Sequence, residues 1–221
     1  MQTAIIVFPG SNRDRDAVMA LRRATGKEPH IVWHGDSELP KVDLIMLPGG
    51  FSYGDYLRTG AMAAHSPIMR EVAARAKQGV RVWGICNGFQ ILCEAQLVPG
   101  ILLRNASLKF VCRPVTLSVE TTDSDFTRLC RKGQDLRVIV AHGDGNYFAS
   151  NDAVKGMEDN NQIAFRYRDN PNGSLGDIAG VLNKQRNVLG MMPHPEDAVE
   201  PLHGSTDGTV LFDSVMKSLA A

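Results

Sequence analysis

The sequence predicts an α/β protein: a mostly parallel central sheet flanked by helices, with antiparallel strands added in the second half. Three observations carry that expectation. Over the first hundred residues, short apolar runs alternate with longer segments whose apolar residues recur at helical spacing, the pattern of βαβ units. The short runs are apolar at successive positions, as strands buried on both faces must be. Beyond about residue 100 the runs change to two-residue alternation, which suits antiparallel strands with one wet face.

Residues 3–8 (TAIIVF) form the first expected strand, ended by Pro9-Gly10. Residues 13–25 carry Ala17, Val18, Leu21 and Ala24 at helical spacing, and 30–33 and 42–47 are the next strands. The stretch 48–60, PGGFSYGDYLRTG, fits neither period and reads as a loop. Residues 61–77 are expected to form one helix with Ala64, Ile68, Val72 and Ala76 on one face. Residues 80–83 form a strand that runs into GICNGFQILCEA, whose second half is helical. Residues 115–120 and parts of 162–167 alternate with period two and are expected as antiparallel strands, at an edge or in a small lobe. Residues 136–141 and 188–192 read as buried strands. Asp207 is placed to cap a last helix with Leu211, Val215, Ser218 and Leu219 near one face. No internal repeat, low-complexity tract or linker interrupts the pattern, so one domain over 1–221 is expected.

Composition narrows the function. The 24 basic and 24 acidic side chains leave zero formal net charge, which argues against a nucleic-acid partner. The chain is 43% apolar, too hydrophobic for disorder. No apolar run approaches the ~20 residues a membrane span requires, and the first residues lack a basic n-region, so a cytoplasmic protein is expected. The cysteines Cys86, Cys93, Cys112 and Cys130 form no CxxC pair and no zinc spacing, so free thiols and no metal are expected. GxxxxGK[ST] is absent, Gly143-Asp144-Gly145 lacks the third glycine of a dinucleotide loop, and the Asp pairs 14/16 and 123/125 lack EF-hand spacing.

Cys86 has a distinctive context. Gly84 and Gly88 stand two residues either side of it, and a strand, a sharp turn and a helix must fit within that space. The same arrangement exposes the nucleophile in the G-x-S-x-G elbow, here with sulfur for oxygen. At a helix N-terminus, free N–H groups and the helix dipole favour thiolate over thiol, and the Asn87 N–H would face an oxyanion above the sulfur. A nucleophile needs a base, and the base an orienting group. His30 and His34 border a strand and read as surface residues, His65 lies on or before a helix, and His203 lies in a polar loop. His142 follows a strand and faces the same sheet end as Cys86. His194, held between Pro193 and Pro195, has Glu196 two positions on, on the same side of an extended segment. Singly, each segment also fits a plainer role: a buried cysteine at a glycine-rich strand end, and a histidine in a strand-end loop.

Six blocks together are more specific: LPGGFSYGDYLRTGAMA (47–63), GICNGFQIL (84–92), LLRNASLKFVCR (102–113), AHGDGNYFA (141–149), NPNGSLGDIAG (170–180) and GMMPHPE (190–196). Through them the chain resembles the class I (triad) glutamine amidotransferases, and among these the family of glutaminase subunits of phosphoribosylformylglycinamidine synthase. The resemblance implies a flavodoxin-like fold in which Cys86 attacks the glutamine side-chain amide, His194 shuttles the proton and Glu196 orients His194. It implies an oxyanion hole from the N–H groups of Asn87 and of Gly50 or Phe51, with Gln90, Tyr53, Gly54 and Asp55 near the substrate glutamine. It also implies partners: a large ATP-using synthetase subunit that takes the ammonia, and a small accessory subunit. ATP and Mg are then expected on the synthetase, with no cofactor in this chain. Two residues depart from the family pattern, Asp144 where Glu is commoner and Asp197 where Arg often follows PHPE. Two other functions remain open: a different cysteine hydrolase of the same superfamily, or a non-catalytic docking or regulatory subunit. The base more than a hundred residues downstream favours the amidotransferase over the first, and the intact Cys86/His194/Glu196 set speaks against the second.

Overall fold

The computed structural model describes residues 1–219. Its strands are β1 (Thr3–Val7), β2 (His30–Trp33), β3 (Leu44–Leu47), β4 (Arg81–Ile85), β5 (Ile101–Leu103), β6 (Val111–Val119), β7 (Asp135–His142), β8 (Asn146–Phe148), β9 (Ile163–Tyr167), β10 (Ile178–Leu182) and β11 (Val188–Met191). Its helices are α1 (Asp14–Thr25), α2 (Ala61–Ala64), α3 (Pro67–Lys77), α4 (Asn87–Glu94), α5 (Asn151–Asp159) and α6 (Thr209–Leu219).

The continuous apolar runs become central strands. β3 and β11 are buried at every residue, so both sheet faces are covered. One sheet runs in the order β2-β1-β3-β4-β11-β10-β9-β6-β7. From β2 to β11 every pairing is parallel, and from β11 to β7 every pairing is antiparallel. The alternating segments of the second half therefore extend the main sheet and are not a separate lobe; β5 and β8 alone form a small second sheet. Trp83 packs its ring against Phe126 and Phe212, joining the centre of the sheet to α6. Burying each side chain of this size contributes roughly 1.5–3 kcal/mol relative to exposure.

Three expectations change. The helix over 61–77 breaks into α2 and α3, because Pro67 drives Ser66 to extended backbone (φ −60°, ψ 148°). The strand over 136–141 is not buried on both faces: β7 is the sheet's outer edge and alternates exposed with buried positions. Asp207 does not cap α6; its Oδ2 accepts the Arg137 N–H of β7 at 2.8 Å and ties the loop before α6 to that edge. Leu211 and Val215 are buried as expected, while the side chain of Leu219 lies outside the described residues. Among the described residues no helix is long and apolar enough to cross a membrane.

The tightest packing joins β3, β4 and α4. A Cβ on Gly88 would lie 2.0 Å from the Leu47 carbonyl oxygen, and one on Gly84 would lie 2.6 Å from the Gly88 carbonyl oxygen. Both are backbone obstacles that cannot swing aside. Gly88→Ala is expected to lower unfolding free energy by roughly 1–3 kcal/mol, whereas Gly156→Ala, in open space on α5, is expected to be neutral or stabilising. Urea midpoints of the two variants check this.

Candidate active site

The parallel register of β4 and β11 sets Ile85 opposite Met191, and the Cys86 N–H donates to the Met191 carbonyl at 2.8 Å. Cys86 thus leaves the sheet one residue after β4, and His194 three residues after β11, at the same sheet end. Cys86 has φ 52° and ψ −108°, a backbone L side chains rarely adopt, and it turns β4 directly into α4. Its Sγ donates to the Ala141 carbonyl at 3.7 Å.

His194 is anchored through its N–H to the Ile139 carbonyl of β7 at 2.8 Å. Its Nδ1 bonds Glu196 Oε1 at 2.7 Å, with both side chains buried. The contact does not come from an extended segment, as the i, i+2 argument expected: Pro195–Asp197 is a 3-10 turn that folds the carboxylate back under the ring. Burial disfavours charge on His194, but Glu196 and Cys86 outweigh it and hold the imidazole pKa well above its ordinary value. Nε2 makes no protein hydrogen bond among the described residues.

The loop over 48–60 supplies the opposite wall. The Gly49 carbonyl accepts the N–H groups of Asn12 (3.3 Å) and Arg13 (3.2 Å). In a trans peptide the following N–H points the other way, so this pair directs the Gly50 N–H away from α1. Only glycine fits at position 50, where a Cβ would lie 2.6 Å from Ser11 Cα. Phe51, named with Gly50 as a donor, has its N–H on the Gly10 carbonyl at 2.9 Å and is not free. The Asn87 N–H opens α4, where no preceding helical turn can accept it. The Asn87 side chain braces both walls, accepting the Ser52 N–H at 3.1 Å and donating to Gln90 Oε1 at 2.8 Å.

Between these walls lies a cleft of about 460 Å³, lined among others by Gly50, Asp55, Cys86, Gln90, His142 and Asp144. Gly54 also lines it. Gln90 Nε2 donates to the Asp144 carbonyl at 2.7 Å, so its amide locks the loop after β7 against α4. Tyr53 does not reach the cleft: its hydroxyl is 2.8 Å from His34 Nδ1 and 3.2 Å from Ser66 Oγ. His34 is therefore a packing partner and not a free surface histidine. His142 is buried beside Asn172, whose Nδ2 lies 3.3 Å from His142 Nε2; burial, then the neighbouring His194, lowers its pKa to about 4 and keeps it neutral. Arg104 and Phe110 also line the cleft, and only the LLRNASLKFVCR block hinted at them. Of the two departures, Asp144 pairs loosely with Arg104 (3.9 Å), and Asp197 pairs with Arg13 (3.3 Å). Among the described residues no group of three or more His, Cys, Asp or Glu side chains is placed to hold a metal ion.

A cysteine elbow facing a His–Glu pair across a parallel sheet end is the architecture of a class I glutamine amidotransferase. Residues 1–209 match the family of CobB/CobQ-like glutamine amidotransferase domains. The chain is 57% identical over 223 residues to the phosphoribosylformylglycinamidine synthase subunit PurQ of Rhizobium meliloti, covering 100% of both. It is 56% identical over 219 residues to the PurQ subunit of Bartonella henselae, covering 98% of each. Among solved structures it matches a chain of PurLQS from Thermotoga maritima with a TM-score of 0.91 at 47% identity, covering 99% of this chain and 98% of that one. The chain belongs to the PurQ family.

Asp55 offers a test of the cleft's electrostatics. Burial, then the facing Asp144, raises its pKa to about 6, and Oδ1 is buried without a hydrogen-bond partner among the described residues. Between its ordinary value and about 6 the folded state holds the extra proton, so stability falls as pH rises through that window. Asp55→Asn is expected to unfold at a higher temperature than the parent above pH 6, with the difference shrinking as pH falls towards 4. Thermal unfolding across pH measures it.

Proposed function

We propose that this chain, as one glutamine amidotransferase domain, is the glutaminase subunit of a phosphoribosylformylglycinamidine synthase, supplying ammonia to an ATP-dependent synthetase subunit in purine biosynthesis in the cytoplasm. The observation that carries this reading is the 2.7 Å His194–Glu196 pair at the same sheet end as Cys86. Cys86 passes its proton to His194, and the sulfur adds to the side-chain carbonyl carbon of glutamine. The carbonyl π pair moves onto oxygen, where the Asn87 and Gly50 N–H groups receive it, each donor worth roughly 3–4 kcal/mol. His194 then protonates the amide nitrogen, the C–N bond breaks and ammonia leaves a γ-glutamyl thioester. Water, deprotonated by His194, adds to the thioester; the C–S bond breaks, glutamate departs and the sulfur recovers its proton. Glutamine and water become glutamate and ammonia. Glu196 holds the imidazole in place and balances its charge throughout. Gln90, Gly54 and Asp55 line the same cleft as Cys86, which supports them as contacts of the bound glutamine.

Ammonia is mostly protonated in neutral water, so its release calls for a docked acceptor. The cleft mouth is rimmed by exposed Phe51, Leu57, Leu103 and Phe110, with Tyr56 alongside, apolar surface suited to a protein partner. The related chain solved within PurLQS supports a synthetase and an accessory subunit as partners. ATP and Mg then belong to the synthetase. Cys86→Ala is expected to abolish glutamine-dependent synthesis in the reconstituted complex while synthesis from added ammonia persists. Surviving glutamine-dependent activity would leave the chain as a docking or regulatory subunit.

A further inference from the structure

Arg13 stands at the start of α1, outside the cleft, yet it touches both halves of the catalytic apparatus. Its main-chain N–H is one of the two that hold the Gly49 carbonyl and so direct the Gly50 N–H. Its side-chain stem packs on Gly49: a Cβ there would lie 3.2 Å from Arg13 Cγ and 2.8 Å from His194 Cε1. Its guanidinium lies 3.3 Å from Asp197 and 3.3 Å from Asp16. Asp197 directly follows Glu196 in the turn that folds under His194. Two adjacent, largely buried carboxylates in one tight turn repel each other, and Glu196 Oε2 has no hydrogen-bond partner of its own among the described residues. His194 and then Arg13 favour the ionised form of Asp197; His194 is engaged by Glu196 at 2.7 Å, and Arg13 is the cation that pairs directly with Asp197.

We propose that Arg13 is a positioning residue for the glutaminase reaction, acting through Asp197 to pin the 195–197 turn and so aim His194. The proposal rests on the glutaminase reading above. Loss of the guanidinium leaves Asp197 unpaired beside Glu196, and the turn relaxes by protonation or by swinging outward. Either shift moves the imaginary line from His194 to the sulfur, and a misplacement of about 1 Å can cost up to about a hundredfold in rate. Neither Arg13 nor Asp197 lines the cleft, so glutamine binding is left alone.

The test measures glutamine-dependent synthesis in the reconstituted complex for Arg13→Met, Arg13→Lys, Asp197→Asn and the double variant R13M/D197N. Arg13→Met and Asp197→Asn are each expected to lower kcat about tenfold with KM for glutamine within twofold, and the double variant to match either single variant. Arg13→Lys, which keeps the charge, is expected to stay within about threefold of the parent. Ammonia-dependent synthesis serves as the control for folding and docking and is expected to be unchanged in all four. The rate of Cys86 alkylation by iodoacetamide, which needs no glutamine turnover, is expected to fall in Arg13→Met and recover in Arg13→Lys. If Arg13→Met keeps kcat within twofold, if its loss appears in KM alone, or if the two single losses multiply in the double variant, the proposal is overturned. A parent complex that makes product from ammonia but not from glutamine overturns the glutaminase reading instead, and the alkylation rates still decide the role of Arg13.

Discussion

The site depends on a single steric constraint, the close approach of α4 to the ends of β3 and β4. The helix runs so near these strands that Gly84 and Gly88 leave no room for a Cβ, and the one residue able to turn the chain between them is Cys86 at φ 52°. Such a backbone costs on the order of 1–3 kcal/mol and persists only where its surroundings over-determine it. Here the Cys86 N–H is tied to Met191, and its carbonyl accepts the N–H groups of Phe89 and Gln90. The same bonds that hold the strained residue start α4, whose first N–H is left free beside the sulfur.

Around that fixed point, polar side chains join segments far apart in the chain. Asn87 connects the loop over 48–60 to α4, Gln90 connects α4 to the loop after β7, and Asn172 connects the loop before β10 to His142 and the Gly145 carbonyl. These are buried amides whose donors and acceptors find partners, so they specify one loop arrangement at little electrostatic cost. The charged groups behave differently. His194 and Glu196 are buried together, and each makes the other's charge tolerable. Asp55 faces another carboxylate instead: burial and then Asp144 push its pKa up to about 6.

The βαβ half of the fold was legible because a strand buried on both faces must be apolar at successive positions, and a covering helix must be apolar on one face. The Cys86 elbow was legible for an equally local reason: glycines at 84 and 88 mark a turn too tight for side chains. Local periodicity runs 61–77 together as one helix, although Pro67 breaks it, and the family resemblance puts Tyr53 near the substrate, although its hydroxyl is held by His34 and Ser66. The resemblance leaves Gly50 and Phe51 both open as donors, because the bond that ties the Phe51 N–H to the Gly10 carbonyl is not encoded in any local pattern.

The sequence by itself determined the kinds of elements and the sharp turn at Cys86, since these follow from periodicity and sterics, and its resemblance to a known family singled out the cysteine, histidine and glutamate. Only the tertiary structure decided that the antiparallel strands continue the main sheet, that the Phe51 N–H is taken by the Gly10 carbonyl, and that Arg13 faces Asp197. The physical reason is that strand register and loop packing set distances between residues far apart along the chain. Such distances arise from the sum of many weak contacts, and no local pattern encodes them.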